Sequence, residues 1–254
     1  GEFYEDQEEI VARMKEVGVA TITVGTHINN SREALALSEK EKLVFATVGL
    51  HPTDTKEGWN QEEYLSLAKN NRVVAIGECG LDYFRGADDE EKKRQREIFI
   101  SQIELALLVD KPLMIHGRPS LGSMDAYLDI IEILFSYKNY HKEKLRGNIH
   151  FFSGSMEIAQ KFLDLGFSMS FTGVITFTND YDEVVKFLPL SSVMIETDAP
   201  YATPVPYRGK RNDPIYVKEV VKRIAKIRGE EEEFVAETIL KNTLSSFNLQ
   251  ELFD

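Results

Sequence analysis

From residue 20 to residue 198 the chain repeats one pattern: a short, almost wholly apolar run, then a longer stretch with apolar residues three and four apart. The apolar runs are "ATITVGT" (20–26), "LVFATVGL" (43–50), "VVAIGE" (73–78), "PLMIH" (112–116), "GNIHFF" (147–152), "FSMSFTG" (167–173) and "VMIETD" (193–198). Runs this short and this apolar are strands covered on both faces, as in a parallel sheet. The stretches between them, such as "EEKKRQREIFISQIELALLVD" and "MDAYLDIIEILFSY", have an apolar face and a polar one at helical spacing. Strand–helix alternation of this kind builds right-handed βαβ units.

A chain of 254 residues is the size of one closed (β/α)8 TIM-type barrel. No repeat, low-complexity tract or flexible linker divides it, so a single domain over residues 1–254 is expected. The apolar runs number seven and a closed barrel needs eight, while the chain opens on a helical stretch, Glu5–Val17. Two expectations follow: a seven-stranded variant of the barrel, or a first strand that lies upstream of Gly1.

The net charge of −12 excludes a general basic coat for nucleic acid, leaving room only for a local basic patch. No run approaches the roughly 20 apolar residues that span a bilayer, so no membrane association is expected. The acidic start "GEFYEDQEEI" has no apolar signal core, and the one cysteine, Cys79, fits a reducing compartment, so a cytoplasmic location is expected. Nothing in the sequence calls for an obligate protein partner.

Residues able to bind a metal collect at the C-terminal ends of the strands: Glu78, His116, His150 and Asp198, with His51 just past another in "GLHP". That edge carries the chemistry of α/β barrels and open parallel sheets. A lone strand-end histidine is ordinarily a hydrogen-bonded core residue, and a lone acid ordinarily a cap. Several on one rim are left unsatisfied or mutually repelling without a cation. Mixed imidazole and carboxylate donors suit Zn, Mn or Fe, and Mg where carboxylates dominate. In "VVAIGECGLDYF" Glu78 is expected to be a ligand whose two oxygens can serve two ions, with its flanking glycines giving close approach.

The segments "GECGLDY" (77–83), "PLMIHGR" (112–118), "IHFFSGS" (149–155), "GLHP" (49–52) and "ETDAPYATP" (196–204), followed by "RGKRNDP" (208–214), together resemble the TatD family of metal-dependent deoxyribonucleases. The resemblance runs in order along essentially the whole chain. It implies an amidohydrolase-like (β/α)8 barrel holding one or two divalent ions, with Mg, Mn and Zn all compatible. It also implies hydrolysis of DNA phosphodiesters, often from the 3′ end. By that resemblance Glu78 is the bridging ligand and His116 and His150 hold one metal. Asp198 serves the other metal and the attacking water. The family's His-x-His motif on the first strand has no counterpart among these 254 residues, which is why that strand is expected upstream of Gly1.

On such a site Asp198 can accept the proton of the attacking water. His51 can contact the scissile phosphate, and Arg118 offers a planar fork to its oxygens. Arg208, Lys210 and Arg211 form a basic cluster suited to steering nucleic acid, single-stranded DNA first among the candidates. Tyr83, Phe84, Tyr201 and Tyr207 lie near the same rim, where an aromatic ring can stack on a base. Two other readings stay open: an amidohydrolase-type enzyme acting on an amide, ester or lactone, and a non-catalytic barrel with an incomplete metal site. Cys79 should point away from Glu78 by strand alternation, His27 should be a loop histidine, and His141 should be exposed.

Overall fold

The computed structural model describes residues 5–250. Among them the helices are α1 (Gln7–Val17), α2 (Ile28–Lys40), α3 (Gln61–Ala68), α4 (Asp89–Val109), α5 (Asp125–His141), α6 (Met156–Asp164), α7 (Asp182–Phe187), α8 (Val217–Arg228) and α9 (Glu232–Ser246). The strands are β1 (Thr21–Thr23), β2 (Val44–Val48), β3 (Val73–Asp82), β4 (Leu113–Arg118), β5 (Gly147–His150), β6 (Ser168–Phe171) and β7 (Val193–Ile195). All neighbours pair in parallel, in the order β1-β2-β3-β4-β5-β6-β7. Each apolar run therefore became a strand in the expected order, and the result is a curled α/β sheet of the barrel type. It has seven strands among the described residues, with β1 and β7 at its edges. The last run is shorter than expected: β7 stops at Ile195, so Asp198 lies on the loop beyond it.

Alternate residues of each strand face opposite ways. Val44 aside, one set packs against the helices: Ala46, Val73, Leu113, Ile115, Ile149, Met169 and Val193 share a core with Phe99, Tyr127, Ile130, Phe162 and Ile224. The other set, Phe45, Val74, Met114 and Met194, packs with Phe247 and Leu249 from the C-terminal end of the chain. Two residues on from Met114 is His116, and two on from Met194 is Glu196. The same step leads from Asn148, whose side-chain amide hydrogen-bonds Ser168 and Ser170, to His150. The period of two thus carries this second face upward from apolar floor to polar site.

Glu78 reaches that face by an irregularity. Ile76 pairs with Leu113 and Cys79 with Ile115, so β3 spends one residue more than β4 between these points. Bulges of this kind turn a side chain and are common beside active sites. Cys79 points away, as expected, its thiol buried against the Met114 carbonyl at 3.4 Å. The glycines around Glu78 let β4 come close. A methyl on Gly77 would stand 2.5 Å from the Met114 carbonyl oxygen, and one on Gly80 would stand 2.1 Å from that of His116. Gly80 also holds φ +129°, open to glycine and strained for other residues. Gly80→Ala should cost about 3 kcal/mol, a fall of about 6–12 °C in Tm. Thermal denaturation checks this, and an unchanged Tm would show that β4 yields freely.

Two buried glutamines of α4 fasten the strand ends. The Gln95 side chain exchanges hydrogen bonds with the backbone N–H and C=O of Asp82, at 2.8 and 3.0 Å. Gln102 does the same for Leu50, both at 2.9 Å, immediately before His51. Apolar spacing alone could not single them out, because they lie on the buried face of the helix among Phe99, Ile103 and Ala106.

Candidate metal centre

Five side chains meet at the C-terminal end of the sheet. Oε1 of Glu78 lies 2.8 Å from Nδ1 of His116, 3.5 Å from Nε2 of His51 and 3.7 Å from Nε2 of His150. The facing nitrogens of His51 and His116 are themselves 3.3 Å apart, with the rings edge to face. Asp198 closes the far side, its Oδ1 3.8 Å from Nε2 of His150. The loop residue Asp198 holds the left-handed conformation (φ 52°), which aspartate tolerates better than most residues. His51 is the start of a short turn, where Nδ1 faces the Thr53 hydroxyl at 2.7 Å and leaves Nε2 for the cluster.

The charges explain one another. Burial by itself would raise the Glu78 carboxyl, but the His150 cation and hydrogen bonds from His116 and His51 hold it well below the ordinary carboxylate range. Burial disfavours the His150 cation, yet Glu196, Glu78 and Asp198 together push it up to about 10. His116 is also raised, the hydrogen bonds to Asp82 and Glu78 outweighing burial. Asp198 is pushed up to about 7, first by burial and then by the nearby Glu196 and Glu78, against the pull of His150. With their protons released, imidazoles that converge on one carboxylate form a donor set for a shared cation. Donor atoms of His51, Glu78 and His116 all lie within 4.8 Å of one another, which fits a divalent metal. His150 and Asp198 stand beside them, so each side chain expected as a ligand is in this cluster, and His51 joins it from the group assigned to phosphate.

The sequence of residues 1–248 matches the TatD-related DNase family. The chain belongs to the TatD-related DNase family. It is similar to the metal-dependent hydrolase YabD of Bacillus subtilis, 38% identical over 96% of this chain and 93% of that protein. An Encephalitozoon cuniculi protein, whose name proposes a deoxyribonuclease homologous to TATDN1, is 32% identical over 94% of this chain and 88% of its own. The crystal structure of YJJV, a TatD homologue from Escherichia coli K12, superposes with a TM-score of 0.84 at 29% identity, covering 97% of this chain and 93% of that one. Fold and class are therefore those of a TatD-type metal-dependent hydrolase.

Two carboxylates of this TatD site were not singled out in the sequence. Asp82 Oδ2 accepts from Nε2 of His116 at 3.0 Å, leaving Nδ1 toward Glu78. Glu196 ion-pairs with Nδ1 of His150, leaving Nε2 toward Glu78 and Asp198. Glu196 is held in turn by the Phe151 N–H at 2.6 Å and the Ser170 hydroxyl at 2.7 Å. Both acids fall inside segments already quoted, "GLD" and "IETD", but only the folded register shows which histidine each one meets. Partners of this kind fix the tautomer and aim of a ligand. Asp82→Asn should weaken Mn²⁺ or Zn²⁺ binding by about 10- to 100-fold with Tm nearly kept. Calorimetric titration measures this, and wild-type affinity would deny Asp82 that role.

The outer rim differs from the sequence reading in detail. Arg211 ion-pairs with Asp6, and Arg208 hydrogen-bonds the Thr203 carbonyl at 3.0 Å while lying over the Phe177 ring. Arg118 lies over the Phe84 ring. Lys210 is exposed. Of the rim aromatics, Tyr83 is buried with its hydroxyl on Asp129, and Tyr207 is stacked face to face on Tyr216 at 3.9 Å. Tyr201 and Phe84 remain exposed. His27 caps α2 by accepting from the Asn30 N–H, and His141 is exposed.

Proposed function

We propose that this chain is a deoxyribonuclease that hydrolyses phosphodiester bonds of single-stranded DNA, in the manner of a 3′-5′ exonuclease. The observation that carries the reading is the Glu78 carboxylate facing three imidazoles at the C-terminal rim, with Asp198 beside them. The family description supports the choice of DNA. Glu78, His116 and His150 hold the cation, with His51 near enough to share it or to meet the phosphate. One or two divalent ions so held, Mg, Mn or Zn, would supply Lewis-acid stabilisation of the phosphoryl oxygens and an acidified water.

The remaining work falls to protein groups. Asp198 takes the proton of the attacking water from its place beside His150 at the edge of the cluster. Arg118 meets phosphate oxygens, and Arg208, Lys210 and Arg211 steer the strand from the loop after β7. No described helix is long and apolar enough to cross a membrane, and the free, buried Cys79 suits a cytoplasmic location. We take residues 1–254 as a single working unit.

Because Arg211 is already paired with Asp6, part of the basic loop is neutralised, which favours a second reading: hydrolysis of an amide, ester or lactone on the same cluster. End-labelled single-stranded DNA with Mg²⁺ or Mn²⁺ separates the two. The nuclease reading expects a ladder shortening from the 3′ end that EDTA abolishes. Intact DNA beside turnover of a small ester or lactone would give the second reading its case.

A further inference from the structure

Two phenylalanine rings stand half exposed at the mouth of the site, Phe84 at 44% and Phe177 at 43%. Each is covered by an arginine of the basic set, with the guanidinium carbon 3.9 Å from the ring centroid: Arg118 over Phe84 and Arg208 over Phe177. The first pair joins the ends of β3 and β4, next to the ligand-bearing residues Glu78 and His116. The second joins the segment after β6 to the loop after β7. At about 4.8 Å between strands, three strand steps put the pairs roughly 14 Å apart along the rim that carries the Glu78 cluster.

Both pairs are held in place. The Phe84 N–H bonds Oδ1 of Asp82 at 3.1 Å, tying that ring to the acid that orients His116. Phe177 ends a turn over Gly173–Thr176, and the Arg208 guanidinium is anchored on the Thr203 carbonyl. A guanidinium over a ring still offers its outer face to another π-system and its edge N–H groups to phosphate.

We propose that Arg118–Phe84 and Arg208–Phe177 are two base-stacking platforms that hold unpaired bases of a single strand on the rim that carries the Glu78 cluster. The proposal rests on the phosphodiester reading above and adds to it where the bases sit. A duplex cannot use such platforms, because its bases are already stacked and paired, so the site selects single strands with little sequence preference.

The test uses the full chain in EDTA, so that nothing is cleaved. Binding is followed with an oligothymidylate carrying 2-aminopurine, and with an abasic oligomer of equal length and charge. Stacking predicts quenching of the aminopurine and about tenfold tighter binding of the base-bearing strand. Phe84→Ala and Phe177→Ala should each lose about fivefold to tenfold for that strand and little for the abasic one. Phe84→Tyr and Phe177→Tyr, which keep a ring, should restore the difference and show that the loss is not one of folding. Equal affinity of the wild type for both oligomers, or alanine variants that weaken both alike, would overturn the platforms. Hydrolysis of bis(p-nitrophenyl) phosphate by the wild type with Mn²⁺ is read in parallel. Its absence would overturn the phosphodiester reading itself, whereas its presence with no base dependence would remove the platforms alone.

Discussion

Glu78→Ala should lower hydrolysis by about 10³-fold or more, with loss of the bound cation as the cause. Oε1 of Glu78 is the one atom that faces His116, His51 and His150 together, at 2.8, 3.5 and 3.7 Å. Without it the three rings share no carboxylate, and a divalent ion loses its central anionic donor. The loss should exceed the 10- to 100-fold expected for an outer partner such as Asp82. The fold should survive, because the neighbours that pin β3 are backbone groups and Gln95, not the carboxylate. Metal content by mass spectrometry beside the rate decides the matter. A variant that keeps its metal and more than a tenth of its activity would show that the centre lies elsewhere.

Asp198→Asn should act differently. The amide keeps the shape and can still lie near His150, but it cannot accept a proton. The expected loss is roughly 10²- to 10⁴-fold in kcat with KM for DNA little changed. Metal affinity should fall by less than in Glu78→Ala, since Asp198 Oδ1 stands 3.8 Å from His150 at the edge of the cluster. Steady-state kinetics together with a metal titration separate the two effects. Wild-type kcat in the asparagine variant would remove Asp198 from the proton's path, and an equal collapse of metal binding would make it chiefly a ligand.

The strand positions were legible because a parallel sheet needs continuous apolar runs, and His116 and His150 were legible because they interrupt two of those runs at or near their C-terminal ends. Glu78 was legible as an oddity, a carboxylate after five apolar or small residues, but its aim depends on the bulge against β4 that puts one extra residue between Ile76 and Cys79. The roles of Asp82 and Glu196 depend on which strand lies beside which, so residue type alone could not pair them with His116 and His150. Gln95 and Gln102 read as ordinary members of a helix, since their task is to meet backbone from β3 and the β2 loop. The basic loop read as three cations, and the fold engages two of them, Arg211 with Asp6 and Arg208 with Phe177. Phe177 gave no signal at all, because its exposure follows from the turn after β6.

The most direct test of the metal centre is anomalous diffraction from crystals grown with Mn²⁺. The account predicts a peak at ordinary coordination distance, about 2.0–2.3 Å, from a Glu78 oxygen and from the inward nitrogens of His116 and His150. A strong peak elsewhere, with the Glu78 cluster left as a hydrogen-bonded set of side chains, would contradict it.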